Sequence, residues 1–275
     1  MINDENPPSQ LDMAAAVGIS ESSVRRILKK NLKADRMKKR RVHQLSEKQA
    51  KQRRDRAKVF KRYLSRRNLK FLFTMDEMMV STKDLDGKTS HYYRREGVVI
   101  PDTWKKLPVK SWPKRVMLAM GICWRGKSRL YVVPPGTKVD APSFVDLILK
   151  PMIQKDIKRM YGKEWKKVNF HMDSAPSHTA DFTTKWLKKR KMKWIPKEHW
   201  LSNSPDLAPM DFAVNGILRR ILKRRQAYSL DELVRVAKSE WRKFPIPKIR
   251  CALLSWRKRV ELMEKKCGFQ FEQDL

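Results

Sequence analysis

The chain has 275 residues, of which 64 are Lys or Arg and 29 are Asp or Glu, a formal net charge of +35. With 41% apolar residues it can bury a core of the size needed for one large and one small domain, which excludes a disordered basic tail. No stretch approaches the run of about 20 apolar residues that a bilayer span needs, and the start Met1-Ile2-Asn3-Asp4-Glu5-Asn6 lacks the pattern of a signal peptide. An intracellular protein is therefore expected, and membrane is not expected as a partner. Cys123, Cys251 and Cys267 have no paired short spacing, so they read as reduced thiols and not as a disulfide framework or a zinc ribbon. So large a positive charge fits a surface that meets a polyanion: nucleic acid first, anionic membrane second.

The first predicted element is a helix-turn-helix over Gln10 to Lys30. Ala14 lets two helices approach, Gly18 takes the turn, and Met13, Val17, Ile19, Val24, Ile27 and Leu28 form the apolar interface. Ser20 is the N-cap of the second helix, which presents Ser22, Ser23, Arg25, Arg26, Lys29 and Lys30 outside the buried stripe. Such a helix suits a major groove, its first turn reading bases and its cations meeting phosphates; a plain helical hairpin is the alternative. A basic stretch follows, with Lys38, Lys39, Arg40 and Arg41 at its centre. It reads as a groove-tracking linker, a nuclear import signal or a solvated spacer. Ser46 and Gln49 then form a capping box for a charged helix running to about Leu64, expected to bridge two modules.

From Lys70 the pattern changes to short apolar runs at 71–75, 116–124, 129–133 and 168–172, with a helix predicted from Pro142 to Met160. Another helix is expected from Ser177 to Lys189, then a short strand from Met192 to Ile195. Ser229 and Glu232 cap a helix that ends near Pro245, and a last helix covers about Lys248 to Lys265, before Gly268.

Three aspartates occupy telling places: Asp76 and Asp173 each end an apolar run, and Asp211 opens a helix. Singly, each reads equally well as a turn former or a favourable charge at a helix start. Together, in so basic a chain, they suit a pair of divalent cations for phosphodiester chemistry. Two magnesium ions about 4 Å apart polarise the attacking oxygen, stabilise the leaving one and neutralise the phosphate, and carboxylates are their natural ligands. The order of strands and helices, with acids at those points, matches an α/β fold of the ribonuclease H-like type. Glu77 is not expected among the ligands, because neighbouring strand residues face opposite ways. His178 and Asp206 are candidates for supporting the ligands or touching DNA, and His171 is expected to pack within its strand.

The segments Thr74-Met75-Asp76-Glu77, His171-Met172-Asp173-Ser174-Ala175-Pro176-Ser177-His178 and Ser204-Pro205-Asp206-Leu207-Ala208-Pro209-Met210-Asp211-Phe212 resemble the catalytic blocks of mariner-type transposases. The 37 residues between Asp173 and Asp211 resemble the maT-like branch. The resemblance runs from about Gln10 to Glu272. It implies a DNA transposase with Asp76, Asp173 and Asp211 as catalytic triad and ligands of two Mg²⁺ or Mn²⁺ ions. It further implies cleavage at inverted-repeat ends, insertion at TA dinucleotides, a homodimer that pairs two ends, and work in the nucleus. It divides the chain into a helix-turn-helix module at 1–33, a basic linker and bridging helix at 34–69, and a catalytic domain at 70–275. The family carries two helix-turn-helix units, and the match makes this one the second, with the first expected to be missing. The chain also departs from the family at Ala119-Met120-Gly121, where Trp-Gly-Gly is usual, and at Asn215, where an aromatic residue is usual. A DNA-binding protein of transposon origin, without transposition, is the alternative function.

Overall fold

A computed structural model describes residues 2–3, 7–36, 44–81, 101, 115–225, 227 and 229–272. The chain divides into two units, Met1–Gln44 and Leu45–Leu275.

In the first unit, α1 (Gln10–Val17) begins at Ser9, whose hydroxyl accepts from the Asp12 N–H while the Asp12 carboxylate accepts from the Ser9 N–H. It ends at Gly18, in the left-handed region at φ +69°. Ser20 caps α2 (Glu21–Arg26) by accepting from the Ser23 N–H, as its position in the sequence predicts. The helix continues with wider π-type winding through Ile27–Asn31. Met13, Ala14 and Val24 form the core, with Leu28 packed against them. Val17, Ile19 and Ile27, expected in that interface, are instead 59%, 37% and 39% exposed. Leu28, four residues after Val24, stays nearer the Val24 face than Ile27, three residues after it, and it is Leu28 that packs against the core.

The second unit begins with α3 (Glu47–Phe60), started by the reciprocal Ser46–Gln49 capping box. This helix buries Ala50, Arg53, Ala57 and Phe60 along one stripe, and Phe60 meets Trp200 and Trp256 at ring-centroid distances of 5.0 and 5.4 Å. Apolar residues at that spacing must be covered, and the sheet's own core covers them. A short α4 (Arg66–Leu69) leads into the sheet.

The strands are β1 (Leu72–Ser81), β2 (Arg115–Cys123), β3 (Gly126–Lys127), β4 (Tyr131–Val133), β5 (Asn169–His171) and β6 (Lys193–Trp194). Their order is β3-β2-β1-β5-β6, with β4 also on β2. β1 is antiparallel to β2 and parallel to β5, and β5 is parallel to β6. Side chains alternate along β1: Leu72, Met78 and Val80 join one apolar layer, Phe73 and Met75 the other.

The Phe73 layer is closed by α5 (residues 141–161), α6 (Pro176–Thr179) and α7 (Asp181–Lys189). α5 stays helical around Pro151, which offers no N–H, with π-type winding on either side at Val145–Leu149 and Met152–Ile157. The Leu72 layer is closed by α3, α8 (residues 210–225), α9 (Leu230–Lys243) and α10 (Ile246–Lys265). Two glycines are dictated by contact. A Cβ on Gly121 would lie 2.4 Å from Cε1 of Phe73, and one on Gly268, at φ +95°, would lie 1.9 Å from the Ala50 carbonyl oxygen. The second contact locks the end of α10 onto α3.

Candidate active site

The parallel ladder between β1 and β5 ends at the pair Thr74 and His171. Asp76 and Asp173 each lie two residues past that pair. With a side-chain period of two, Asp76 within β1 and Asp173 just past β5 lie on the same face of the sheet, where the parallel pairing stops. Asp76 is therefore not at the end of its strand, as the apolar run suggests. β1 continues to Ser81 because β2 still pairs with it, Asp76 opposite Met120. Only the neighbour β5 has stopped, which leaves room beside the carboxylate.

Asp211 reaches the same place from the first turn of α8, which packs against β1. One turn later, the buried Asn215 donates from Nδ2 to Oδ2 of Asp76 at 2.7 Å. The three carboxylates influence one another. Burial first, then the charges of Asp211, Glu77 and Asp173, push the Asp76 pKa up to about 9. Asp211 is also raised, by burial and by the charge of Asp173. Asp76 and Asp211 stand close enough that ionising both is costly.

Asp173 behaves differently. Burial alone would raise it, yet it is held below its ordinary value because its Oδ1 accepts from His178 Nδ1 at 2.6 Å and from the Ala175 N–H at 2.9 Å. His178 is almost fully buried under the Phe144 ring, 4.3 Å between centroids. Its Nε2 meets Oε1 of Glu77 at 3.1 Å. Burial opposes its charge, but the two carboxylates outweigh burial and raise its pKa to about 10. His178 is thus an imidazolium clamped between Glu77 and Asp173. Glu77 does face the other side of the sheet from Asp76, but it enters the site through this histidine.

The donor set fits a hard divalent cation: carboxylate oxygens only, with Asp173 and Asp211 open to solvent, in a place where the acids resist sharing their charge. Among the described residues no three or more His, Cys, Asp or Glu side chains stand close enough together to hold a metal ion as they are placed.

No protein-family model matches the sequence, and no curated protein matches it. Solved structures do match. A pre-cleavage Mos1 transpososome aligns with 98% of this chain and 78% of its own at a TM-score of 0.77 and 20% identity. The Mos1 mariner paired-end complex with Mn has the same figures. The catalytic domain of Mos1 mariner transposase aligns over its full length with 85% of this chain, at a TM-score of 0.63 and 20% identity. The chain has the fold of a mariner transposase. The ribonuclease H-like α/β architecture and the small all-α module expected from the sequence are both present in it.

Within that fold the remaining expected residues have these places. His171 is buried, its Nδ1 2.8 Å from Oγ1 of Thr74, with Trp200 and Trp256 around the ring at 4.1 and 5.2 Å. Burial drives its pKa down to about 3, so it is a neutral core residue. Asp206 does not support the triad. Its Oδ2 pairs at 2.5 Å with Arg53, itself 1% exposed on α3, and its carbonyl accepts from Arg259 Nη1 at 2.7 Å. Asp206 braces the loop before α8, because a buried guanidinium demands a carboxylate partner.

On α2, Arg25, Arg26, Lys29 and Lys30 are exposed, with Arg25 3.1 Å from Glu21. Ser22 and Ser23 turn their hydroxyls to Oγ of the cap Ser20 at 2.8 and 2.9 Å. Lys38, Lys39, Arg40 and Arg41 lie outside the described residues. The residue missed by sequence reading is Asn215, whose signal was its place four residues after Asp211, on the same helical face.

Proposed function

We propose that the chain is a mariner-type DNA transposase of the maT-like branch, acting in the nucleus. In this reading it cleaves DNA at the inverted-repeat ends of its element and joins the freed 3′-hydroxyl to target DNA at TA dinucleotides, as a homodimer that pairs two ends. The observation that carries the reading is the convergence of Asp76, Asp173 and Asp211 at the carboxyl end of the β1–β5 pair. The solved neighbours support it, since Mos1 has been captured in paired-end complexes with Mn and with Mg and in a strand transfer complex.

Asp76, Asp173 and Asp211 would hold two Mg²⁺ or Mn²⁺ ions. Such ions, when bound, neutralise phosphate oxygens and make water or a hydroxyl a stronger nucleophile. The protein supplies position. Asn215 fixes the Asp76 carboxylate by donating to Oδ2, and His178 fixes Asp173 through Oδ1, leaving Oδ2 of Asp173 for a ligand. Glu77 keeps His178 protonated, so Asp173 stays ionised. No side chain here is placed as a covalent nucleophile, and the two steps are successive displacements at phosphorus by water and by the 3′-hydroxyl.

The test is Mg²⁺-dependent nicking of duplex DNA that carries the inverted repeats flanking the coding sequence. Asp173→Asn is expected to lower the rate at least about 1,000-fold, the scale of losing charge stabilisation worth several kcal/mol in the transition state. If the wild-type protein binds this DNA but nicks no faster than the variant, it is a DNA-binding protein of transposon descent and the catalytic reading fails.

A further inference from the structure

Away from the triad, at the outer edge of the sheet, lies a groove of about 790 Å³. Its floor is the β2–β3 hairpin, and its walls come from the end of α5 and from α9. Of its thirteen lining residues six are cations, Arg125, Lys127, Arg129, Arg159, Lys238 and Arg242, and none is acidic. Gly126 of the floor pairs with Cys123, which pairs with Phe73 near the start of β1. The groove is thus one strand removed from β1 and toward the end of it opposite to the catalytic one.

Several of these cations already have work. Arg125 pairs with Glu164 at 2.5 Å and Arg129 with Asp156 at 3.0 Å. Lys127 donates to the carbonyls of Arg242, at 3.0 Å, and Phe244, which close the carboxyl end of α9. Trp241 fixes the wall by donating from Nε1 to the Ser128 carbonyl at 2.7 Å. Lys238 and Arg242 are different: one helical turn apart on α9, neither has a carboxylate partner among the described residues. Like charges at that spacing work against the helix, and a phosphate held between them would relieve that repulsion.

We propose that this groove binds the phosphodiester backbone of double-stranded DNA, as a second contact separate from the triad and from the helix-turn-helix. The lining decides the class of ligand. Ser128 is its only hydroxyl, and it is occupied, donating to the Arg129 carbonyl at 2.6 Å and accepting from the Gly121 N–H at 2.9 Å. No carboxylate is present to hold a ribose and no amide to read a base edge, so the groove recognises charge and not sequence. A small metabolite site would need a few free polar groups to fix orientation. The proposal rests on the reading of the chain as a protein that acts on DNA.

The experiment is fluorescence anisotropy of the full chain with a duplex of arbitrary sequence across a range of salt. Lys238→Glu with Arg242→Glu is compared with Lys188→Glu with Lys189→Glu, an equal charge change on exposed residues at the end of α7, toward the opposite edge of the sheet. Losing two phosphate contacts lowers the slope of log Kd against log salt by about 1.8. The groove pair is expected to show that loss and at least about a tenfold weaker Kd at moderate salt, and the α7 pair less than half of each. Lys238→Gln with Arg242→Gln, which keeps good helix formers, is expected to lose slope as well and guards against a folding artefact. Equal losses in the α7 and groove pairs, or wild-type binding by both groove variants, overturn the proposal. Nicking by the wild-type protein, measured in parallel, separates the two readings. Nicking with equal losses sinks the groove alone, and selective loss without nicking sinks the catalytic reading alone.

Discussion

The helix-turn-helix unit surrounds three buried side chains, Met13, Ala14 and Val24, whereas the larger unit closes an apolar layer over each face of a six-stranded sheet. Leu11, Val17 and Leu32 stay 65%, 59% and 55% exposed in the small unit, while Phe60, Trp241 and Trp256 are at most 1% exposed in the large one. In the small unit local devices, two serine caps and a left-handed glycine, carry much of the order. In the large unit order comes from distant residues, and so does the site: its carboxylates arrive from two strands and a helix that only packing brings together.

Changes that test this contrast should rank by how much distant packing they disturb. Phe60→Ala is expected to cost the larger unit about 3–5 kcal/mol in urea unfolding, the scale for deleting a buried aromatic ring. A cost well below that would mean that α3 contributes less to this core than its buried stripe suggests. Asn215→Ala removes the donor to Asp76 and is expected to weaken Mg²⁺ or Mn²⁺ binding by about 10–100-fold by calorimetry, with little change in melting temperature. Unchanged metal affinity would reduce Asn215 to a packing residue.

The buried His171 tests the same contrast through pH. Its folded pKa, about 3, lies below the ordinary 6.5, so the unfolded chain binds the proton more readily. Its contribution to stability is present above pH 6.5 and is lost as pH falls toward 3. Between pH 7 and 5 the stability gap between wild type and His171→Gln should narrow by about 2 kcal/mol, measured by chemical unfolding at each pH. A constant gap would mean that the histidine is not held neutral in the core. The smallest effect belongs to the small unit: Ser20→Ala should cost about 1 kcal/mol of local helix stability. Hydrogen exchange confined to α2 would show it, and protection lost in β1 as well would contradict the division into two units.

How much was legible follows the same line. Ser46 with Gln49, Ser20, and Gly18 act over four residues or fewer, and each has the role its pattern implies. The helix expected at 142–160 spans 141–161, since its apolar residues recur at helical spacing whatever they later touch. The apolar run suggests too short a strand through Asp76, because apolar patterning stops at the polar residues while β2 continues to pair. Asp206 was read toward the active site because it stands in a block resembling catalytic ones, yet its partner Arg53 lies 153 residues away. Sequence separation of that size hides an ion pair completely. Asn215 looked like a departure from family pattern and turns out to hold Asp76.

By itself the sequence determined the three aspartates, the caps and turn of the helix-turn-helix unit, the α/β order of elements and the positive charge. These rest on local spacing and on residue chemistry. Only the tertiary structure decided that Asp76 and Asp173 stand side by side past the end of a parallel ladder, and that His178 links Asp173 to Glu77 around the sheet. It also decided that Asn215, and not Asp206, serves the site. Those facts depend on which strand stops first and which helix covers it, and burial of side chains far apart in the chain settles both.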